Sequence, residues 1–164
     1  MRFTAPQIAM LAGAVALALI LGALGFQYIG DYQPCEMCHW QRWPHIAAAV
    51  VGILGGGAMA LGLMSRKPGP EIAILAIALV AISGLIGVYH AGVEWKFWPG
   101  PSACTSSFVP GQPFDLSKLT HMGHVPMCDR AAWRLFGISM AGYNAIISLG
   151  TAALGLFALM RRQG

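Results

Sequence analysis

The 164-residue sequence has few charged side chains. Asp, Glu, Lys and Arg together make up 10% of it, whereas hydrophobic residues make up 57%. An ordinary globular domain is about 25% charged, so a water-soluble fold of this size is excluded. Disorder is excluded too, because disordered chains have low hydrophobicity. The ten Lys and Arg residues form no patch or stripe, which argues against nucleic-acid binding. The composition therefore indicates an integral membrane protein.

Four long segments carry no charge, namely residues 3–30, 46–65, 72–93 and 135–160. A bilayer core about 30 Å thick requires about 20 apolar residues in a helix. The segments are rich in Ala, Gly and Leu, and small residues allow close helix packing in lipid. We therefore predict an all-α fold, a four-transmembrane-helix bundle forming a single membrane domain over residues 1–164. The expected spans and their two long connections are 8–29, 45–64, 71–90 and 134–160, with loops at 30–44 and 91–133.

The first segment could also be a cleaved signal peptide, because Ala23-Leu24-Gly25 loosely resembles a cleavage site. Its apolar stretch is much longer than the roughly 7–15 residues of a signal core, so we expect a retained helix. Basic residues cluster at 66–67 and 161–162. The positive-inside rule then predicts that both termini are cytoplasmic and that the loops 30–44 and 91–133 are periplasmic in a bacterial inner membrane.

The four cysteines all lie outside the apolar segments. Cys35 and Cys38 are in the first loop, and Cys104 and Cys128 are in the long third loop. Loops one and three of a four-span protein lie on the same side, so the four thiols are expected to meet there, in an oxidising compartment. An even count suggests disulfides, and four cysteines allow three pairings. Cys35–Cys38 with Cys104–Cys128 is one arrangement, and Cys38–Cys104 belongs to another.

The segment Cys35-Glu36-Met37-Cys38 is a CxxC pair. A disulfide closing so short a loop stabilises a fold poorly, whereas this spacing is common in redox sites. Pro34 precedes the pair, a helix is expected to begin close behind it, and Arg42 follows Cys38 by one helical turn. A helix N-terminus and a cation both favour a thiolate. Two structural disulfides remain the alternative interpretation.

A zinc site is a further alternative, since the CxxC pair could combine with histidines at 39, 45, 121 and 124. Cys104 and Cys128 are 24 residues apart and lack the matched ligand spacing of zinc sites, so we expect no metal. His90 lies at the end of the third apolar segment, at the membrane depth of Arg42. Ionisable residues at that depth are functional candidates. The ordinary alternative is a hydrogen bond with Glu94.

The long loop has two further expected features. Residues 113–122 have the pattern of a short amphipathic helix lying on the membrane surface. Residues 103–109 are expected to be extended, which would let Cys104 reach a protein partner.

The segment Pro34-Cys35-Glu36-Met37-Cys38-His39-Trp40-Gln41-Arg42 resembles the PCxLCxxQR signature of the bacterial disulfide-bond formation protein B (DsbB) family. Met37 stands where Leu is usual. Residues 98–104 and 128–140 are similar to the family's second cysteine pair and to the beginning of its fourth helix. The resemblance therefore covers nearly the whole chain.

This resemblance implies a membrane thiol oxidase. It would reoxidise a periplasmic thioredoxin-fold dithiol protein (DsbA-like) and pass the electrons to a membrane quinone, ubiquinone or menaquinone. Cys104 matches the cysteine attacked by the partner, and Cys128 matches its disulfide mate. Cys35 and Cys38 match the inner pair, with Cys38 facing the quinone, and Arg42 and His90 match residues beside it. The alternatives are a thiol-dependent quinone reductase of the vitamin K epoxide reductase type and a non-catalytic, disulfide-braced membrane protein.

Overall fold

The computed structural model describes residues 3–102, 104–105 and 126–163. Four helices in these ranges are long and apolar enough to cross a membrane, which confirms the all-α, four-helix prediction. They are α1 (Ala5–Tyr28), α2 (Glu36–Ala60), α3 (Gly69–Glu94) and α4 (Met140–Gln163). The helix expected at 113–122 lies outside the described residues, as does most of the extended segment expected at 103–109.

The second helix begins at Glu36 rather than at residue 45, where the expected span starts. Cys35 is its N-cap, and the Cys35 sulfur accepts a hydrogen bond from the Cys38 backbone N–H at 3.3 Å. Glu36 in the first turn also complements the positive end of the helix dipole. Cys38 and Arg42 therefore lie on the helix that the sequence analysis expects to begin close behind Pro34, and the connection before it is shorter than the expected loop 30–44.

The fourth helix begins at Met140 rather than at residue 134. The preceding residues form an antiparallel hairpin of β1 (Arg134–Leu135) and β2 (Ile138–Ser139). Phe136 and Gly137 join the strands with φ of 50° and 81°. Two positive φ values characterise the type I′ turn, which matches the twist of a two-residue hairpin. This turn chemistry interrupts an apolar sequence that otherwise resembles the start of a span.

Close helix packing depends on small residues. Most of the core cluster between the helices is alanine, including Ala9, Ala12, Ala16, Ala48, Ala73 and Ala76. Gly52 lies in a π-helical turn, Val50–Gly55, where α2 crosses α1. A Cβ on Gly52 would collide with the Ala9 carbonyl oxygen and would lie 2.9 Å from the Gly13 Cα. The small-residue pattern therefore marks helix contacts, as the sequence suggests.

The chain after α3 folds back onto that helix. The Trp98 indole N–H donates to the Tyr89 carbonyl oxygen at 2.8 Å, and the two rings stack with centroids 6.1 Å apart. Lys96, next to the helix end, pairs with Asp129 at 2.6 Å. This pair ties residues 126–133 to the end of α3, where the N-terminus of α2 also lies.

Candidate active site

The CxxC pair lies at the N-terminus of α2. Cys35 and Cys38 are free thiols whose sulfur atoms are 2.8 Å apart, within hydrogen-bonding distance. The pKa of the Cys35 thiol is raised, first because it donates its proton in a hydrogen bond to the Cys38 sulfur and second because it is buried. This direction favours the proton on Cys35 and negative charge on Cys38, whose side chain is more exposed.

The second pair, Cys104 and Cys128, forms a disulfide. The structure thus contains one of the pairings that the sequence left open, with the CxxC pair reduced. Cys128 is fully buried, and Cys104 is 6% exposed. Both pack with Cys35, Cys38 and the side chains of Met37 and Val93 in a single cluster. All four cysteines, separated by up to 93 positions in the chain, therefore meet at one place.

His90 is buried beside the CxxC pair. Its Nε2 atom lies 3.6 Å from the Cys35 sulfur and 3.7 Å from Oε1 of Glu94, one turn further along α3. Its Nδ1 atom is hydrogen-bonded to Nε2 of Gln41 at 2.8 Å. His90 therefore lies near Glu94, although 3.7 Å is too long for the hydrogen bond that was the alternative interpretation, and it also contacts the Cys35 thiol.

The hydrogen bonds continue from Gln41 into the bundle. Oε1 of Gln41 accepts from Nδ2 of Asn144 on α4 at 2.7 Å. The same nitrogen donates to the Ser83 carbonyl oxygen at 3.2 Å, and the Ser83 hydroxyl donates to the Gln41 carbonyl oxygen at 2.8 Å. Three helices are thus joined by one buried polar network.

His45 lies deeper in the same network. Its Nε2 atom is 2.8 Å from Oδ1 of Asn144 and 3.3 Å from the Ser148 hydroxyl. The sequence analysis did not single out Ser83, Asn144 or Ser148. Each of them is a polar residue within an apolar span, and such residues usually face the bundle interior. That pattern could have identified them from the sequence.

A cavity of about 730 Å³ opens beside the CxxC pair. Cys38, Arg42, His45 and His90 line its polar side. Its apolar walls come from α1 and α4, including Ala18, Leu19, Ala23 and Ile147. Arg42 is held toward α1 by a hydrogen bond from Nη1 to Oε1 of Gln27 at 2.7 Å. The cavity has the volume and the mostly apolar lining of a small-molecule site.

The structure changes the set of residues that could hold a metal. The ligand atoms of Cys35, Cys38 and His90 lie within 4.8 Å of one another. Of the histidines that the sequence offered, His39 is exposed, His45 belongs to the buried network, and those at 121 and 124 lie outside the described residues. Within the described ranges, a metal would therefore require His90.

These features define a class of protein: a multi-pass membrane protein in which a CxxC pair and a buried disulfide meet beside a cavity lined in large part by the spanning helices. The family model for the disulfide bond formation protein DsbB matches residues 5–158. The chain therefore belongs to the DsbB family, and the predicted family is confirmed. Membership makes it a membrane protein of disulfide bond formation with a disulfide oxidoreductase role.

Curated relatives agree with this assignment. Disulfide bond formation protein B of Burkholderia thailandensis is 34% identical, over 96% of this chain and 91% of the relative. The protein of the same name from Shewanella sp. (strain MR-4) is 32% identical, over 87% of this chain and 80% of the relative. The uncharacterized protein RP370 of Rickettsia prowazekii is 23% identical over 75% of this chain. No solved structure matches the chain significantly.

Proposed function

We propose that the protein oxidises the dithiol of a periplasmic thioredoxin-fold (DsbA-like) partner and transfers the electrons to a membrane quinone. One observation carries this proposal. Cys35 and Cys38 pack in one buried cluster with the Cys104–Cys128 disulfide, and together with Arg42 they line a cavity between the spanning helices. The CxxC pair therefore connects the Cys104–Cys128 disulfide with a cavity whose apolar walls suit a lipid-soluble molecule.

The outer disulfide is the site of exchange with the partner. Thiol–disulfide exchange begins with attack of a thiolate on one sulfur. Cys104 retains slight exposure, whereas Cys128 has none, so the partner's thiolate attacks Cys104 and the electron pair moves to Cys128. The partner's second thiolate then releases Cys104. The partner leaves as a disulfide, and Cys104 and Cys128 become a dithiol.

The inner pair takes over the same two electrons. The Cys128 thiolate attacks Cys35 of the oxidised CxxC pair, which belongs to the same buried cluster, and the electron pair moves to Cys38. Cys104 then attacks Cys128. This step re-forms the outer disulfide and leaves Cys35 and Cys38 as the free thiols of the structure. Oxidation of that dithiol releases two electrons and two protons toward the cavity.

The residues around the cavity suit a quinone. A quinone bound there supplies a two-electron, two-proton acceptor. The apolar walls suit its ring and tail, and the Arg42 cation, one turn after Cys38, is placed to stabilise negative charge on the ligand and on the Cys38 sulfur. His45 lines the cavity, and its Nδ1 atom is buried with no hydrogen-bond partner among the described residues. A polar ligand group would satisfy such an atom.

The same proposal fixes the orientation in the membrane. The basic connection between α2 and α3, with Arg66 and Lys67, lies at the opposite end of α2 from the cysteines. The positive-inside rule therefore places this connection and both termini in the cytoplasm, and the cysteines on the periplasmic side. That side is the oxidising one, in which a disulfide persists.

The decisive experiment measures quinone absorbance with purified protein in detergent. A reduced thioredoxin-fold dithiol protein is the electron donor, and ubiquinone and menaquinone analogues are tested in parallel. We expect rapid quinone reduction by the unmodified protein and none by Cys38→Ser. Cys104→Ser is the matched control, because it should fail with the protein donor yet still transfer electrons from a small dithiol. Absence of quinone reduction with either analogue, while the thiols do become reduced, would refute the proposal.

A further inference from the structure

The hydrogen bonds around Gln41 fix the orientation of its amide. Nε2 of Gln41 lies 3.1 Å from the Met37 carbonyl oxygen, which can only accept. Oε1 of Gln41 lies 2.7 Å from Nδ2 of Asn144, whose identity is fixed in turn by the Ser83 carbonyl oxygen. Both hydrogens of the Gln41 NH₂ group are therefore assigned. One goes to Met37, and the other goes to Nδ1 of His90 at 2.8 Å.

This assignment determines which His90 nitrogen carries the proton. A neutral imidazole has one donor and one acceptor nitrogen. Because Nδ1 accepts from Gln41, Nε2 carries the hydrogen. Nε2 faces the Cys35 sulfur at 3.6 Å and Oε1 of Glu94 at 3.7 Å, both of which can accept a hydrogen bond. A second ring proton, on Nδ1, would point at the N–H of Gln41.

We propose that Gln41 is a positioning residue that holds His90 as the Nε2–H tautomer and directs its N–H at the Cys35 sulfur. The result is a chain in which each donor points toward the cavity: Asn144 to Gln41, Gln41 to His90, His90 to Cys35 and Cys35 to Cys38. Aligned hydrogen bonds polarise one another in a low-dielectric interior. Negative charge on the Cys38 sulfur is stabilised at the end of the chain. The use of this charge in electron transfer rests on the proposed function, whereas the tautomer does not.

The same tautomer disfavours a metal ion at the redox pair. The sulfur atoms of Cys35 and Cys38 and a nitrogen of His90 lie close enough together to share one. Ligation through Nε2 would require its lone pair, and Nδ1 would then carry the hydrogen and need an acceptor. Gln41 presents a donor there, and it cannot turn its amide over without facing the N–H of Asn144. Gln41 thus keeps the reduced pair available for oxidation rather than for zinc.

Nitrogen NMR of ¹⁵N-histidine-labelled, reduced protein in detergent tests the tautomer directly. The His90 signals are assigned by their loss in His90→Asn. We expect a protonated Nε2 and an unprotonated Nδ1 in the unmodified protein, and the reverse in Gln41→Glu, whose carboxylate can accept from Nδ1. Gln33→Glu is the matched control, because Gln33 borders the cavity and bonds to Asp31 rather than to His90. A protonated Nδ1 alone in the unmodified protein would overturn the proposal.

Zinc binding to the reduced protein provides a second test. A variant that had only lost packing would not gain affinity for zinc. Second-shell partners typically change metal affinity about 10–100-fold. We therefore expect Gln41→Glu to bind Zn²⁺ about 10–100-fold more tightly than the unmodified protein or Gln33→Glu, and His90→Ala added to Gln41→Glu to remove the gain. Equal Zn²⁺ affinity in Gln41→Glu and the unmodified protein would contradict the proposal. Neither measurement uses quinone, so failure of the proposed function would be seen separately.

Discussion

Replacing Arg42 by Ala tests the step between the CxxC pair and the cavity. Arg42 is the cation one helical turn after Cys38, and both side chains line the cavity. Its guanidinium is anchored to α1 through Nη1 and Oε1 of Gln27, 2.7 Å apart. The substitution removes this hydrogen bond and the positive charge, but it leaves the cysteine cluster and the Gln41–His90 contacts in place.

The expected loss follows from the role of a preorganised charge. Removing one donor that faces developing negative charge costs about 2.7–4 kcal/mol, or about 100–1,000-fold in rate. Exchange of the Cys104–Cys128 disulfide with the partner does not use Arg42 and should change little. Arg42→Lys should reduce quinone faster than Arg42→Ala but more slowly than the unmodified protein. It keeps the positive charge but loses the planar fork of donors that reaches Gln27.

Stopped-flow absorbance separates the two steps. The protein is first reduced by its dithiol donor, and quinone is then added in a single-turnover experiment. Arg66→Ala, in the connection between α2 and α3, removes an equal charge far from the cavity and serves as the control. The reasoning would be refuted if Arg42→Ala reduced quinone at the unmodified rate, or if it slowed exchange with the partner as much as it slowed the quinone step.

Four further outcomes are expected. Cys128→Ser should leave Cys104 able to form a stable mixed disulfide with the partner, visible on non-reducing gels, and its absence would argue against exchange at Cys104. In the reduced protein, iodoacetamide should modify Cys38 before Cys35, because the raised pKa of Cys35 keeps that thiol protonated at neutral pH. Cys38→Ser should allow iodoacetamide to modify Cys35 at lower pH. Mass spectrometry over a series of pH values measures this change, and an unchanged pH profile would contradict a role for the Cys35–Cys38 hydrogen bond. Gly52→Ala should destabilise the bundle by about 1–3 kcal/mol through overpacking against α1, and an unaltered thermal midpoint would contradict the close approach.

The helices were predictable because the bilayer imposes a simple requirement. Uncharged segments of about 20 residues span it whatever their detailed sequence. Their ends were less predictable, because local chemistry sets them. The apolar segment omits the first turns of α2, which begin at the Cys35 cap close behind Pro34, and the turn at Phe136 and Gly137 delays the start of α4. Both effects depend on hydrogen bonds and backbone dihedral angles that hydropathy does not contain.

The sequence singles out the cysteines, Arg42 and His90 at this site, but not the polar network that joins them to the bundle. The CxxC spacing and the following arginine mark local chemistry, and their positions alone indicate a redox pair. Gln41 and Asn144, by contrast, are 103 positions apart and meet because α2 and α4 pack together. Nothing local specifies that contact. The sequence shows a polar residue within an apolar span, and only the fold shows which partner satisfies it.

The arrangement of sulfur atoms addresses a problem of access that the proposed function raises. A soluble protein partner cannot enter the bilayer, and a lipid quinone cannot leave it, so their reactive atoms cannot meet. The buried cluster contains the CxxC pair and the Cys104–Cys128 disulfide, and Cys35 and Cys38, whose sulfur atoms are 2.8 Å apart, also line the cavity. Electrons can therefore cross from one phase to the other by two exchanges between neighbouring sulfurs. The position of Cys38 on α2, one turn before Arg42, is what makes the second exchange end at the membrane rather than in water.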